Sequence, residues 1–577
     1  MNRTRRLVGL AGAALLVTSV VPVATGATNH SKRRPAPKTV SVQMLSFNDF
    51  HGHLEATDDP LSVQLDPSQT EVGGAEYLAT TINRLRGTAP GGRTVTVAAG
   101  DLIGGSTFLS GLFHDEPSVE SMNALGLDVS SVGNHEFDEG TTELLRMQRG
   151  GCHPVDGCYF PTQPYAGADF PWLAANVQNR NGKGTLLPGT FIKNVKGVRI
   201  GFIGMTLEET PTLVNPQGVA SVVFLDEADT ANREAKKLEK RGVDTVVVLL
   251  HEGGEQAGTY NDCEGPSGPI VDIVSRMDPS IDMLVTGHTH QPYVCWLPNN
   301  AGQPRLVTSA ASYGKVVTET TLAVDRRTGD VVQAETSATN HLVTRDQEKD
   351  AAQTAVLDKW KAISDPIAGR VVGTVDVDVT GDASGNRGIE TPMGDLIADS
   401  ILWGTSTPET GGAQIAFMNI GGVRASFTRD AITNGEAVGE ITYAEAYATS
   451  PFGNLLVTID MTGDQIRRVL EQQYDPTRGR QNLALAVSEG FTYTWDATQP
   501  QGSRVVAGSM ALNGVPIDPA ATYRVATLNF LAAGGDAFTV FTEGTNLLGG
   551  SEDIANLVAY LQAHPGVRPP ADRVSGL

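Results

Sequence analysis

The sequence predicts an α/β protein of two domains joined by a helix. Three observations carry this. The chain has 577 residues, too many for one ordinary hydrophobic core. β-Branched runs alternate with helical stretches as far as about residue 340, the pattern of an α/β domain with buried sheets. One amphipathic helical stretch then interrupts the alternation, and a second block with its own strands and helices follows.

Taken in order, residues 1–27 read as an export signal. Arg3, Arg5 and Arg6 precede an apolar run from Leu7 to about Val23, and Ala24-Thr25-Gly26-Ala27 closes it with small residues. An uncleaved anchor is the alternative, since the run is of borderline spanning length. No cysteine follows it, which argues against a lipoprotein. Residues 28–38 are polar, basic and Pro-containing, a flexible leader. The first domain is expected over 39–342, with strands at Val40–Phe47, Thr94–Ala99, Val129–Val132, Val198–Ile203, Val243–Leu250 and Ile281–Val285. Helices are expected at Glu76–Arg86, Ser118–Leu125 and Ala228–Arg241. The linker is placed at 343–368: a helix over Gln347–Ser364 puts Val356, Trp360 and Ile363 on one face, and Asp365-Pro366 ends it. The second domain, 369–577, offers strands at Val371–Val379, Gln414–Met418, Leu455–Asp460 and Thr522–Thr527. Its helices are Gly394–Leu402, Gly463–Gln473 and Glu552–Ala563.

Charge excludes some partners. The formal net charge is −22; the signal holds three of the 43 basic residues and none of the 65 acidic ones, so the mature chain carries −25. Such a surface repels nucleic-acid polymers and anionic lipid. It repels small phosphate esters too, so an anionic substrate needs local cations or arginines. The oligomeric state is left open. The four cysteines permit three pairings; Cys152–Cys158 with Cys263–Cys295 is favoured, closing one local and one moderate loop. Cys263 and Cys295 are expected in loops. No Cys-x-x-Cys pair exists, which argues against a cysteine zinc site.

Five motifs each follow an expected strand: Asn48-Asp49-Phe50-His51, Gly100-Asp101, Gly133-Asn134-His135-Glu136, His251-Glu252-Gly253 and Gly287-His288-Thr289-His290. Ligands of α/β sheets bind at the C-terminal ends of the strands, so the five loops should converge. Imidazole nitrogen with carboxylate oxygen suits zinc, manganese or iron. Two such ions about 3.5–4 Å apart clamp a phosphoryl group and activate water. One carboxylate must bridge them, and Asp101 on its Gly-containing turn is the natural choice. Any one of these histidines alone would be read as an ordinary core or surface residue; the ordered set carries the argument.

That set, D-x-H, GD, GNHE, H-x-G and GHTH, resembles the calcineurin-like metallophosphoesterases. The resemblance implies a four-layer α/β/β/α domain. It implies that Asp49, His51, Asp101 and His290 hold one metal, and Asp101, Asn134, His251 and His288 the other. The two ions would be zinc or manganese, with magnesium, cobalt or iron as alternatives. His135 would stabilise charge on the phosphoryl or leaving oxygen, oriented by Asp138; the plainer role for Asp138 is a helix N-cap.

The second block narrows the substrate. Asn419-Ile-Gly-Gly-Val-Arg424, Pro451-Phe452-Gly453-Asn454 and Thr522–Phe530 leading to Gly534-Gly535-Asp536 supply aromatics, amides, an arginine and a carboxylate at strand ends. Taken singly these are turn and core signals. After such a first domain they resemble the 5′-nucleotidase family, over about residues 40–565. The resemblance implies a smaller α/β C-terminal domain in which Phe452 and Phe530 stack on the base. Asn454 and Gly490 would line its pocket, Asp536 would bind ribose, and Arg387, Asn419 and Arg424 would contact substrate. The implied protein is a secreted hydrolase of nucleotide phosphate esters, cell-surface association being a variant, with no stable membrane insertion after cleavage.

There are departures. The family often has Gln or Asn where this chain has His290, and the Arg387 segment is less arginine-rich than in well-known members. Rival readings are a 2′,3′-cyclic-nucleotide phosphodiesterase, a UDP-sugar hydrolase, a sulfur-ester hydrolase and, outside enzymes, a non-catalytic nucleotide- or surface-binding protein. The full ligand set and His135 argue against the last.

Overall fold

The computed structural model describes residues 38–56, 71–215, 217–381, 386–478 and 480–577. The expected signal, and the leader up to residue 37, lie outside them. Two six-stranded sheets build the first part. In one, Thr39–Phe47 lies between Val316–Asp325, antiparallel, and Thr94–Ala99, parallel, with Val129–Ser131 beyond. In the other, Thr245–His251 lies between Val198–Thr206 and Met283–Thr286, all parallel. These strands are buried along nearly their whole length, so they read as continuous apolar runs and not as alternation.

The sheets face each other through Val42, Met44, Val97, Phe202, Val247, Leu249 and Met283. Helices Ala75–Arg86 and Glu116–Leu125 cover the outer face of the first sheet. Glu227–Glu239 and Pro269–Arg276 cover that of the second. The result is the expected α/β/β/α stack. Every expected strand of this part exists, with ends shifted by a few residues.

The joining helix runs from Ala351 to Ala368, capped by Asp350, whose carboxylate accepts from the Ala352 and Gln353 N–H groups. Two expectations are corrected here. The helix starts later than Gln347, because Asp350, extended at ψ 122°, takes the cap position. Pro366 does not end it: the chain closes one further turn, with Gly369 N–H bonded to Asp365 O. A proline in the last turn removes one donor without breaking the preceding ladder.

Trp360, fully buried, anchors this helix. Its ring meets Phe113 and Phe160 at 5.0 and 4.9 Å between centroids, and its Nε1 donates to Glu120. Phe160 and Tyr159 follow the Cys152–Cys158 disulfide, so that loop braces the joining helix. His114 adds a tie, its two ring nitrogens bonded to Glu139 and to Asp156 of the loop. Trp360→Ala should cost about 3–5 kcal/mol; a thermal melt equal to wild type would contradict this packing role. The second disulfide joins Cys263 and Cys295. Cys295 is corrected from loop to strand: it is buried within Pro292–Pro298.

The second part is built on a five-stranded sheet with Ile415–Asn419, Thr522–Leu528 and Leu455–Thr462 at its centre. The expected strand Val371–Val379 shortens to Val371–Thr374, then continues as single bridges from Val375 and Val379. Tyr443 and Tyr447 of this part pack on Phe108 of the first, at 5.9 and 5.6 Å.

Candidate active site

The five motifs meet at the C-terminal strand ends. Five of the seven expected ligands, Asp49, His51, Asp101, His288 and His290, hold positive φ between 47° and 71°. Left-handed backbone is costly for such residues and persists where surrounding structure over-determines it, as at functional sites. Tight approach also explains the motif glycines: a Cβ on Gly287 would lie 2.8 Å from Asp49 Oδ2 and 2.9 Å from His251 Nδ1.

Two groups of ligand atoms form, Asp49/His51/His290 and Asp101/His251/His288, each within 4.8 Å. Asp101 Oδ2 lies 2.8 Å from His251 Nε2 and 3.6 Å from His51 Nε2, between the groups, where a bridging carboxylate belongs. Asp49 Oδ1 is 3.2 Å from His290 Nε2 and 3.8 Å from His251 Nε2. Asn134 Oδ1 stands 3.0 Å from His288 Nδ1. The sequence-derived ligands are thus brought together.

The residues fit a pair of cations. His51 Nδ1 faces Gly104 O at 2.7 Å and His251 Nδ1 faces Ala99 O at 2.7 Å. A carbonyl only accepts, so both Nδ1 atoms carry a proton and both Nε2 atoms turn inward. His51 Nε2 is buried without a hydrogen-bond partner. At His251, Nε2 meets Asp101 Oδ2 at 2.8 Å, a contact that takes a proton or a cation between the two atoms.

The electrostatics agree. Burial holds His51 well below the ordinary imidazole value and depresses His290; burial with the neighbouring His251 takes His288 down to about 3. Neutral imidazole is the ligand form. Burial opposes charge on His251 too, but Asp101 and Asp49 outweigh it and lift the ring to about 10. Burial would raise Asp101, yet His251, His135 and His51 hold it well below the carboxylate range. The carboxylates that favour a proton on His251 equally favour a divalent cation.

His135 also comes within reach of His51 and Asp101, but its Nδ1 is tied to Asp138 Oδ2 at 2.8 Å. Burial works against its charge, and Asp138 and Asp101 overcome that and raise it. Asp138 also accepts from Gly105 N–H at 3.1 Å; the cap position of the following helix belongs to Glu139, so the capping role for Asp138 falls away.

Two residues of the motifs had no role in the sequence reading. Glu136, buried, accepts from the N–H groups of Asp101, Leu102 and Gly133 at 2.9, 2.8 and 2.5 Å, stapling two ligand loops together. Burial with nearby Asp101 pushes it up to about 8. Asn48 bonds Asp49 Oδ2, Ala311 O and Ala310 N, fixing the first ligand loop. Both stood inside quoted motifs; their polarity in a sheet-end turn was the available signal. Glu136→Gln presents an amide N–H₂ to backbone donors, and metal affinity should fall about 10–100-fold; unchanged affinity by titration with a chromophoric chelator would contradict the staple.

A pocket of about 490 Å³ opens from this centre towards the second part. Asn134, His135 and His288 line one end; Arg387, Asn419, Arg424, Phe452, Asn454, Phe530 and Asp536 are among the residues that line the remainder. Phe452 stacks near His135, ring centroids 6.0 Å apart, and the Arg424 guanidinium lies 4.9 Å over the Phe452 ring. Asp536 Oδ2 accepts from Asn419 Nδ2 at 2.8 Å, which leaves Asn419 Oδ1 buried without a partner. Arg387 Nη1 donates to Ile420 O.

Gly490 is the exception and is corrected. It lies outside this pocket, in the turn between Leu485–Val487 and Phe491–Thr494, at φ +86°. A Cβ there would meet Asn513 Oδ1 at 2.5 Å, and its carbonyl accepts from Asn513 N–H. The glycine serves a turn.

This geometry defines a metallophosphoesterase-type centre facing a pocket on a second domain. Residues 44–292 match the calcineurin-like phosphoesterases and residues 371–543 the 5′-nucleotidase C-terminal domain. The chain is 31% identical to cell wall protein Lmo0130 of Listeria monocytogenes, over 95% of this chain and 70% of that one. It is 34% identical to endonuclease YhcR of Bacillus subtilis, over 92% of this chain but only 41% of that protein. Among solved structures, the 5′-nucleotidase precursor of Thermus thermophilus superposes with a TM-score of 0.73 at 28% identity, over 93% and 99% of the two chains. The chain belongs to the 5′-nucleotidase family of calcineurin-like phosphoesterases, hydrolases of phosphoric esters. Among the described residues no helix is long and apolar enough to cross a membrane.

Proposed function

We propose that the protein is an exported 5′-nucleotidase that uses two divalent cations to remove phosphate from nucleoside monophosphates. One observation carries this reading: a single pocket joins a His/Asp centre suited to two ions with aromatic, amide and carboxylate groups suited to a nucleoside. Asp49, His51, Asp101 and His290 would hold one ion; Asp101, Asn134, His251 and His288 the other. When bound, the ions polarise the phosphoryl group and lower the pKa of water.

The chain's own groups do the rest. Phe452 and Phe530 grip the base, with Asn454 beside them. Asp536 and the unpaired Asn419 Oδ1 accept from ribose hydroxyls. Arg387 and Arg424 meet the phosphate with charge-assisted bonds. His135, oriented and charged by Asp138, holds a proton at Nε2 for the leaving oxygen. The YhcR name does not carry a polymer substrate here: the net charge of −22 over the full chain repels nucleic acid.

Phosphate release from AMP, 2′,3′-cyclic AMP and UDP-glucose, after chelation and return of single metals, tests the reading. AMP should lead, with zinc or manganese restoring turnover. Preference for the cyclic nucleotide or the sugar nucleotide would replace the assignment with one of those activities. Phe452→Ala should raise KM for AMP about 5–150-fold, since base stacking contributes about 1–3 kcal/mol; an unchanged KM would remove Phe452 from the base site.

A further inference from the structure

The pocket holds a third guanidinium that no motif announced. Arg480 lines it together with Arg387 and Arg424. The other two are partly committed: Arg387 donates to Ile420 O, and Arg424 donates to Gly421 O while lying over Phe452. The Arg480 side chain makes no hydrogen bond or ion pair with any described residue, and it is exposed at the pocket rim.

Its loop is built to present it. Arg478, two residues earlier, donates to Asp536 O at 2.7 Å, to Gln472 O and Gln473 O at 3.1 Å, and to Arg480 O at 3.1 Å. Its guanidinium also lies 5.6 Å over the Phe538 ring. Arg478 thus locks the loop to the turn that carries Asp536. The Arg480 charge bears on Arg424, Asp536, Glu255 and Asp49 and, in the metal centre, on His288 and His290; the Arg424 charge bears on His135 and His290. Arg387, Arg424 and Arg480 thus gather three positive charges in the one pocket that Asn134, His135 and His288 also line. Glu255 of the catalytic domain lines the same pocket and its charge bears on Arg480, so an anion entering there needs a cation of its own.

From this we infer that Arg480 is a phosphate-binding residue, gripping non-bridging oxygens of the scissile phosphoryl group. The inference deepens the nucleotidase reading and rests on it for the identity of the group bound. A planar guanidinium with free donors matches phosphate bidentately, and a free side chain breaks no protein bonds when the anion arrives.

The test uses the manganese-loaded full protein and inorganic phosphate, followed by calorimetry, with wild type, Arg480→Ala and Arg480→Lys. Alanine should weaken phosphate binding about 10–100-fold, the worth of charged hydrogen bonds. Lysine should recover part of it, keeping the charge but losing the fork. In AMP turnover the alanine variant should lose mainly in KM. Phosphate affinity unchanged in Arg480→Ala, with manganese content equal to wild type, overturns the assignment. Failure of the nucleotide panel would remove the nucleotidase reading and still leave the calorimetric result to decide on Arg480.

Discussion

Asp101→Asn should reduce AMP hydrolysis by about three orders of magnitude or more. The cause is electrostatic. Asp101 places one carboxylate oxygen 2.8 Å from His251 Nε2 and 3.6 Å from His51 Nε2, and the backbone N–H of His135 bonds its other oxygen at 2.9 Å. An amide in its place keeps the shape and removes the negative charge that would offset repulsion between two divalent ions. Metal catalysis of this type supplies several kcal/mol of transition-state stabilisation, and each ~1.36 kcal/mol is tenfold in rate. Metal analysis of the purified variant should show loss of at least one ion. Turnover near wild type with full metal content would mean that Asp101 does not bridge.

His135→Ala should lower kcat by about 10²–10⁴ while leaving metal content intact. The split between the two variants is what separates their roles. His135 Nδ1 is bound to Asp138 at 2.8 Å, and no other ring nitrogen remains but Nε2. Removing the ring removes a proton donor and a positive charge beside the phosphoryl group, without touching Asp49, His51, Asp101, His251, His288 or His290. A variant that lost metal in step with activity would make His135 a ligand; one that kept full turnover would remove it from the chemistry.

The parts of this site that were legible in the sequence share a cause. Asp49, Asp101, His251 and His288 each follow a buried β-branched strand, and strand ends in an α/β stack have one place to go. Glu136 was unreadable because a buried carboxylate bonded to three amides looks, in sequence, like any solvated acid. Arg480 was hidden because its position depends on Arg478 bonding to a turn 58 residues away. Gly490 was misplaced for the opposite reason: a glycine required by φ +86° in a turn is indistinguishable from one required by a ligand. Pro366 and Cys295 show local signals overridden by context, a helix long enough to absorb a proline in its last turn and a strand pairing that carries a cysteine into the core.

The proposed chemistry depends on two cations that Asp101 would share. Anomalous diffraction from manganese- or zinc-loaded crystals, recorded at the metal edge, addresses this directly. The expected result is two peaks, one among Asp49, His51 and His290 and one among Asn134, His251 and His288, with Asp101 touching both. A single peak at saturating metal, or peaks away from these side chains, would contradict it.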